Sequence, residues 1–154
     1  MTVRTLSIRQ PWAWLITRPD LVDSAARAQA LEAGVIKTIE NRDWSTDYRG
    51  RFLIHASARM VQRDYWALYD QLKEQLGIEL PHFVELDLGG IVGAATLVDV
   101  VTEHSSPWFV GPFGWVLRDA RPLPFVEFKG QLNWFDVPRA LIPRLTPTLE
   151  RTEA

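Results

Sequence analysis

Five or six short strand-like runs, set at irregular intervals, limit what this chain can fold into more than any other feature. They are "VRTLSIRQ", "IKTIENR", "RGRFLIHAS", "GGIVGAATLVDVVTE", "GWVLRDARPL" and "FVEFKGQLNWFDV". Three helical patterns interrupt them. "PWAWLITR" carries Pro11 at a first helical position, where its missing N–H costs nothing. "SAARAQALEAG" has Asp23 and Ser24 as cap candidates and Gly34 as its terminator. "ARMVQRDYWALYDQLKEQLG" repeats apolar residues at helical period through Tyr65, Leu68, Tyr69, Leu72 and Leu76, ending at Gly77. "DWSTDY", "WFVGPFG" and "KGQ" read as turns.

Repeated βαβ units would need more regular helix spacing, and neither GxGxxG nor a phosphate-binding loop occurs. The pattern predicts an α+β fold: a small mixed β-barrel of five to six strands with helices packed at its rim. A chain of 154 residues suits one such domain, expected over 1–137. Three prolines and a polar end predict a loosely held tail over 138–154.

Composition narrows the chemistry. No run of eighteen apolar residues occurs, and "MTVRTLSIRQ" lacks the apolar core of a signal peptide, so a cytoplasmic protein without a membrane partner is expected. With no cysteine there are no thiolate metal sites and no cysteine nucleophile. His55, His82 and His104 lack metal-ligand spacing, so neither a metal nor another cofactor is expected. A net charge of −2 argues against indiscriminate coating of duplex phosphates. The charge is nevertheless uneven. Lys37 to Arg63 holds six basic and three acidic side chains, whereas Glu79 to Glu103 holds five acidic and none basic. That asymmetry suits a patch for a small anionic ligand, rich in arginine and its forked, stackable contacts.

Within "GVIKTIENR", side chains two apart share a strand face. Thr38, Glu40 and Arg42 therefore fall together, and Ile39 and Asn41 point the other way. Lys37 meets Glu40 only if it lies in the turn after Gly34, before the strand begins. A lysine and glutamate joined in a half-buried cleft can bind a polar ligand. The same spacing also reads as a surface ion-pair cluster of little energetic worth. Gln10 offers a donor and an acceptor to a base edge, and Trp12 or Trp14 a stacking face, although one of these two is expected in the core. In "SPWFVGPFGW", Trp108 or Phe109 can stack a base, whereas Trp115 reads as a plug of the barrel end. His55 is either a general base or a satisfied structural residue, with no partner assignable from sequence. Asp99 either faces the cleft or caps a strand end.

The blocks "LSIRQPWAWLI", "GVIKTIENRDWSTDYRGRFLIHA", "GGIVGAATLVDV" and "GPFGWVL", in this order, resemble the ASCH (activating signal cointegrator homology) domain over roughly residues 4 to 136. The resemblance implies a PUA-like barrel with a cleft where a GxKxxExR-type motif converges, and an association with RNA or nucleotide binding. Gly34, Lys37, Glu40 and Arg42 match that motif, with one extra residue between glycine and lysine. The alanine-rich insertion near 18–33 and the long helix near 58–76 are expected to shape access to the cleft.

The implied ligand is single-stranded RNA, a nucleoside or a nucleotide, bound by Gln10, Trp12, Lys37, Thr38, Glu40, Arg42, Arg49 and Trp108. A related group in the superfamily hydrolyses N4-acetylcytidine, with a threonine three residues after its lysine; Glu40 stands at that position here. The alternative is therefore a small metal-free hydrolase acting on a modified nucleoside or on single-stranded RNA, with Lys37 and Glu40 catalytic. A third reading is a protein-interaction role.

Overall fold

The computed structural model describes residues 1–142. Among these residues nine helices and strands follow one another: β1 Thr2–Ile8, α1 Trp12–Thr17, α2 Ser24–Glu32, β2 Ile39–Arg42, β3 Gly50–Ala56, α3 Gln62–Leu76, β4 Gly90–Val101, β5 Phe113–Glu127 and β6 Trp134–Pro138. Short 3-10 turns cover Phe83–Glu85 and Arg139–Leu141. The result is a small mixed α+β protein with one six-stranded sheet in the order β2-β5-β4-β3-β1-β6. Among the described residues, only β1 and β3 pair in parallel; every other neighbouring pair is antiparallel. A parallel pair needs a long crossover, and α1, α2 and β2 supply it.

Two-residue periodicity builds the core. Leu6 and Ile8 of β1, Phe52, Ile54 and Ala56 of β3, and Ala95 and Leu97 of β4 bury one face around Trp115 and Leu117 of β5. Residues of opposite parity, Val3, Leu53, Ala94 and Val137 among them, form a second cluster with Ile142. Because β3 is covered on both faces, all seven of its residues are buried. The sheet also bends: the Trp115 ring of β5 packs at 5.4 Å on that of Trp134 of β6, although three strands separate β5 from β6 in the pairing order.

Helix α1 is short but central. Its Ala13 and Ile16 enter the first cluster, while Trp14 and Leu15 join Tyr65 and Leu72 of α3 in a third. Of the two tryptophans in this segment, Trp14 is thus the core residue. Burying a large apolar side chain of this kind is worth about 1.5–3 kcal/mol, so one turn and a half of helix ties α3 to the sheet. The caps are as the residue types require: the Asp23 side chain accepts from the Ala25 N–H, and Gly77 ends α3 in the left-handed region at φ 65°.

Two expectations change. Pro11 precedes the first residue of α1 rather than opening it. "GWVLRDARPL" and "FVEF", expected in two separate strands, run through a single β5 with register shifts against β4 and a positive φ of 52° at Asp119. Pro122 lies opposite Gly93, between two of those shifts, and irregular pairing is where a sheet tolerates proline. The part of the expected tail over 143–154 lies outside the described residues. Pro138 ends β6, and Ile142 is buried. Among the described residues, no helix is long and apolar enough to cross a membrane.

Candidate functional site

Gly34 turns the chain out of α2 at φ 76°, so Lys37 lies before β2 and is free of its alternation. Its Nζ donates to Glu40 Oε1 at 2.8 Å and also to the carbonyl of Ile39. The other oxygen of Glu40 accepts from Arg42 at 3.2 Å. Lys37 is 3% exposed and Glu40 7%, with Arg42 half-buried, so this is a relay of three charges built on a buried ion pair and not a surface cluster. Arg42 also donates to the main-chain carbonyl of Ser7 at 3.2 Å, which ties β2 to β1. Its Nε, buried, finds no hydrogen-bond partner among the described residues.

Two clefts open beside the relay. The larger, about 1300 Å³, is lined by Arg9, Trp12, Glu40, Arg42, Arg59 and Lys129, together with Ser7 and His55. The smaller, about 540 Å³, lies between Trp12, Lys37, Glu40 and Trp108 on one side and Leu68, Leu72 and Leu76 of α3 on the other. Trp12 belongs to both, is 37% exposed, and has its ring centroid 5.7 Å from Lys37 Nζ. A flat, accessible indole beside a buried ion pair is a stacking surface with a charged floor.

The loop that carries Trp108 is held from β2. Asn41 donates to the Trp108 carbonyl at 3.0 Å and accepts from the N–H groups of Val110 and Gly111 at 2.8 and 3.0 Å. The Trp108 indole N–H in turn donates to the Gly34 carbonyl at 3.0 Å. One turn thus supports both the relay and the aromatic loop. Trp115 is fully buried and donates to the Trp44 carbonyl, which makes it a core residue.

Three residues expected at the site stand elsewhere. Gln10 is buried, its oxygen accepting from Trp14 N–H at 2.9 Å and its amide donating to the Asp87 carbonyl at 3.1 Å, and it lines neither cleft. Both ends of its amide are used inside the fold. Strand alternation puts Thr38 on one face with Glu40 and Arg42, but β2 begins only at Ile39, so Thr38 lies outside that alternation. Thr38 lines a third cavity, of about 500 Å³, which it shares with Lys37, Arg27, Arg118 and Arg121 but not with Trp12, Glu40 or Arg42. Arg49 folds back on the carbonyls of Thr46 and Tyr48, 3.9 Å from Asp99, and lines neither cleft. Asp99 is exposed and accepts from the Val100 N–H.

His55, for which the sequence assigns no partner, has two in the fold. His55 Nδ1 is 2.6 Å from Ser7 Oγ, and His55 Nε2 is 2.6 Å from the Phe128 carbonyl. A carbonyl only accepts, so Nε2 carries the proton and Nδ1 accepts from the Ser7 hydroxyl. Burial pushes the imidazole below its usual range, against the opposing pull of the Phe128 carbonyl. His82 and His104 accept from nearby main-chain N–H groups. Among the described residues, no group of three or more His, Cys, Asp or Glu side chains is arranged to hold a metal ion.

No protein-family model matches this chain, and no curated protein does either.

Proposed function

We propose that this chain is an ASCH-type module whose bent sheet is a PUA-like barrel, and that its cleft holds a nucleobase or nucleoside of single-stranded RNA. The observation that carries this reading is the convergence of Lys37, Glu40 and Arg42 beneath the exposed face of Trp12. The base stacks on Trp12, with Trp108 across the smaller cleft. Glu40 accepts from the base edge, and Arg42 meets phosphate or carbonyl oxygens alongside Arg9, Arg59 and Lys129. The Trp115–Trp134 contact across the sheet supports the barrel.

The test is equilibrium binding of a labelled single-stranded RNA oligonucleotide across a salt series. Stacking on an aromatic side chain is worth about 1–3 kcal/mol, so Trp12→Ala is expected to weaken binding about tenfold without loss of folded structure. Arg42→Ala should weaken it further and flatten the salt dependence by about one unit of slope. Binding unchanged in a folded Lys37→Ala/Arg42→Ala double variant would sink the reading.

A further inference from the structure

We propose that Ser7 is a nucleophile activated by His55, and that the larger cleft performs acyl transfer on a carboxylic ester bearing an anionic group. The inference stands on the dyad's own geometry and does not depend on what the Lys37 relay binds. Ser7 and His55 are register partners on the parallel strands β1 and β3, so their side chains leave the sheet side by side on one face. The 2.6 Å contact places the hydroxyl proton on the line to Nδ1, and the Phe128 carbonyl fixes the ring in the one tautomer that can take it. Both residues line the cleft of about 1300 Å³.

The surroundings fit that chemistry. Burial keeps the imidazole neutral near pH 7, which leaves it free to act as a base. Arg42 lies beside Ser7, donating to its main-chain carbonyl, and lines the same cleft, where its guanidinium adds positive charge next to the developing oxyanion. The main chain of Gly130 lies against the pair so closely that a Cβ there would stand 2.6 Å from His55 Cε1 and 2.9 Å from Ser7 Oγ. Arg9, Arg42, Arg59 and Lys129 outnumber Glu40 and Glu127 along the cleft, and Glu40 is already paired, so an ester carrying a carboxylate or phosphate is favoured.

The step balances without any co-reactant but water. Ser7 Oγ bonds to the acyl carbon as its proton passes to His55 Nδ1. The ester C–O bond breaks, and the departing oxygen takes that proton. Water then attacks the acyl-serine, gives a proton to Nδ1, and releases the carboxylic acid as Ser7 recovers its hydrogen.

The experiment exposes the full chain to a fluorophosphonate probe and maps the adduct by peptide mass spectrometry, alongside hydrolysis of p-nitrophenyl acetate and mono-p-nitrophenyl succinate. The expected result is a single adduct on Ser7, lost in Ser7→Ala, and formed on the order of a hundredfold more slowly in His55→Gln. The succinate ester should turn over faster than the acetate. An unlabelled native protein, or an adduct on another residue, would overturn the proposal; because this readout needs no variant, a misfolded Ser7→Ala leaves it decisive. Failed labelling with intact RNA binding would sink the nucleophile alone.

Discussion

Lys37 and Glu40 meet at 2.8 Å across the boundary between a turn and a strand, and each is almost wholly buried. Glu40 balances two cations, Lys37 and Arg42. Removing the carboxylate strands the Lys37 charge inside the protein, where an uncompensated buried ion costs about 3–5 kcal/mol, and leaves the half-buried Arg42 without its counter-charge. Glu40→Ala should therefore destabilise the fold by about 3 kcal/mol in urea unfolding. Glu40→Gln, which keeps an acceptor and the shape, should cost less. A loss below about 1 kcal/mol for Glu40→Ala would mean that the relay is as weakly coupled as a surface pair.

His55 makes stability depend on pH. Its imidazole is held below the ordinary value of about 6.5 in the fold, chiefly by burial, and returns to that value on unfolding. Between those two values the unfolded chain binds a proton that the native state does not, so stability rises with pH through the window and is lost as pH falls through it. The charged residues that share its cleft are Arg9, Arg42, Arg59 and Lys129, against Glu40 and Glu127. Melting curves below neutral pH should show falling stability, and His55→Gln should flatten that slope. An identical slope in the variant would contradict the burial of a neutral His55.

Asn41 is the clasp of the aromatic loop, with three hydrogen bonds to the main chain of Trp108, Val110 and Gly111. At about 0.5–1.5 kcal/mol each, Asn41→Ala should cost about 2 kcal/mol and speed amide exchange at Val110 and Gly111. Exchange unchanged at those two amides would show that the loop is held by something else.

How much of this was legible in the sequence depends on the range of the interaction. The Lys37–Glu40 contact was readable because it is local: the turn at Gly34 is the only way a lysine three residues before a glutamate escapes the strand alternation. The same alternation puts Asn41 on the opposite face, although nothing local says that a distant loop is waiting there. Gln10 looked available because its nearest employment, a bond four residues on to Trp14 N–H, requires knowing that α1 starts at Trp12. Thr38 was lost by a single position in where the strand begins.

The Ser7–His55 pair was not legible, because 48 residues separate the two and only the parallel register of β1 on β3 joins them. No local pattern encodes that register. The fusion of two expected strands into β5 was hidden similarly: "RDARPLP" carries arginine, aspartate and two prolines, and only irregular pairing with β4 lets such a segment stay in a sheet.

The proposed binding of RNA at the Trp12 cleft is tested most directly by NMR, following tryptophan indole N–H and arginine Nε–H resonances while a short single-stranded RNA is added at low salt. Ligand stacked on Trp12 above the relay should shift the Trp12 indole and Arg42 Nε–H signals in step with saturation, leaving the fully buried Trp115 indole much less affected. Saturable binding that moves other surface signals and leaves Trp12 and Arg42 in place would contradict the assignment of this cleft as the RNA site.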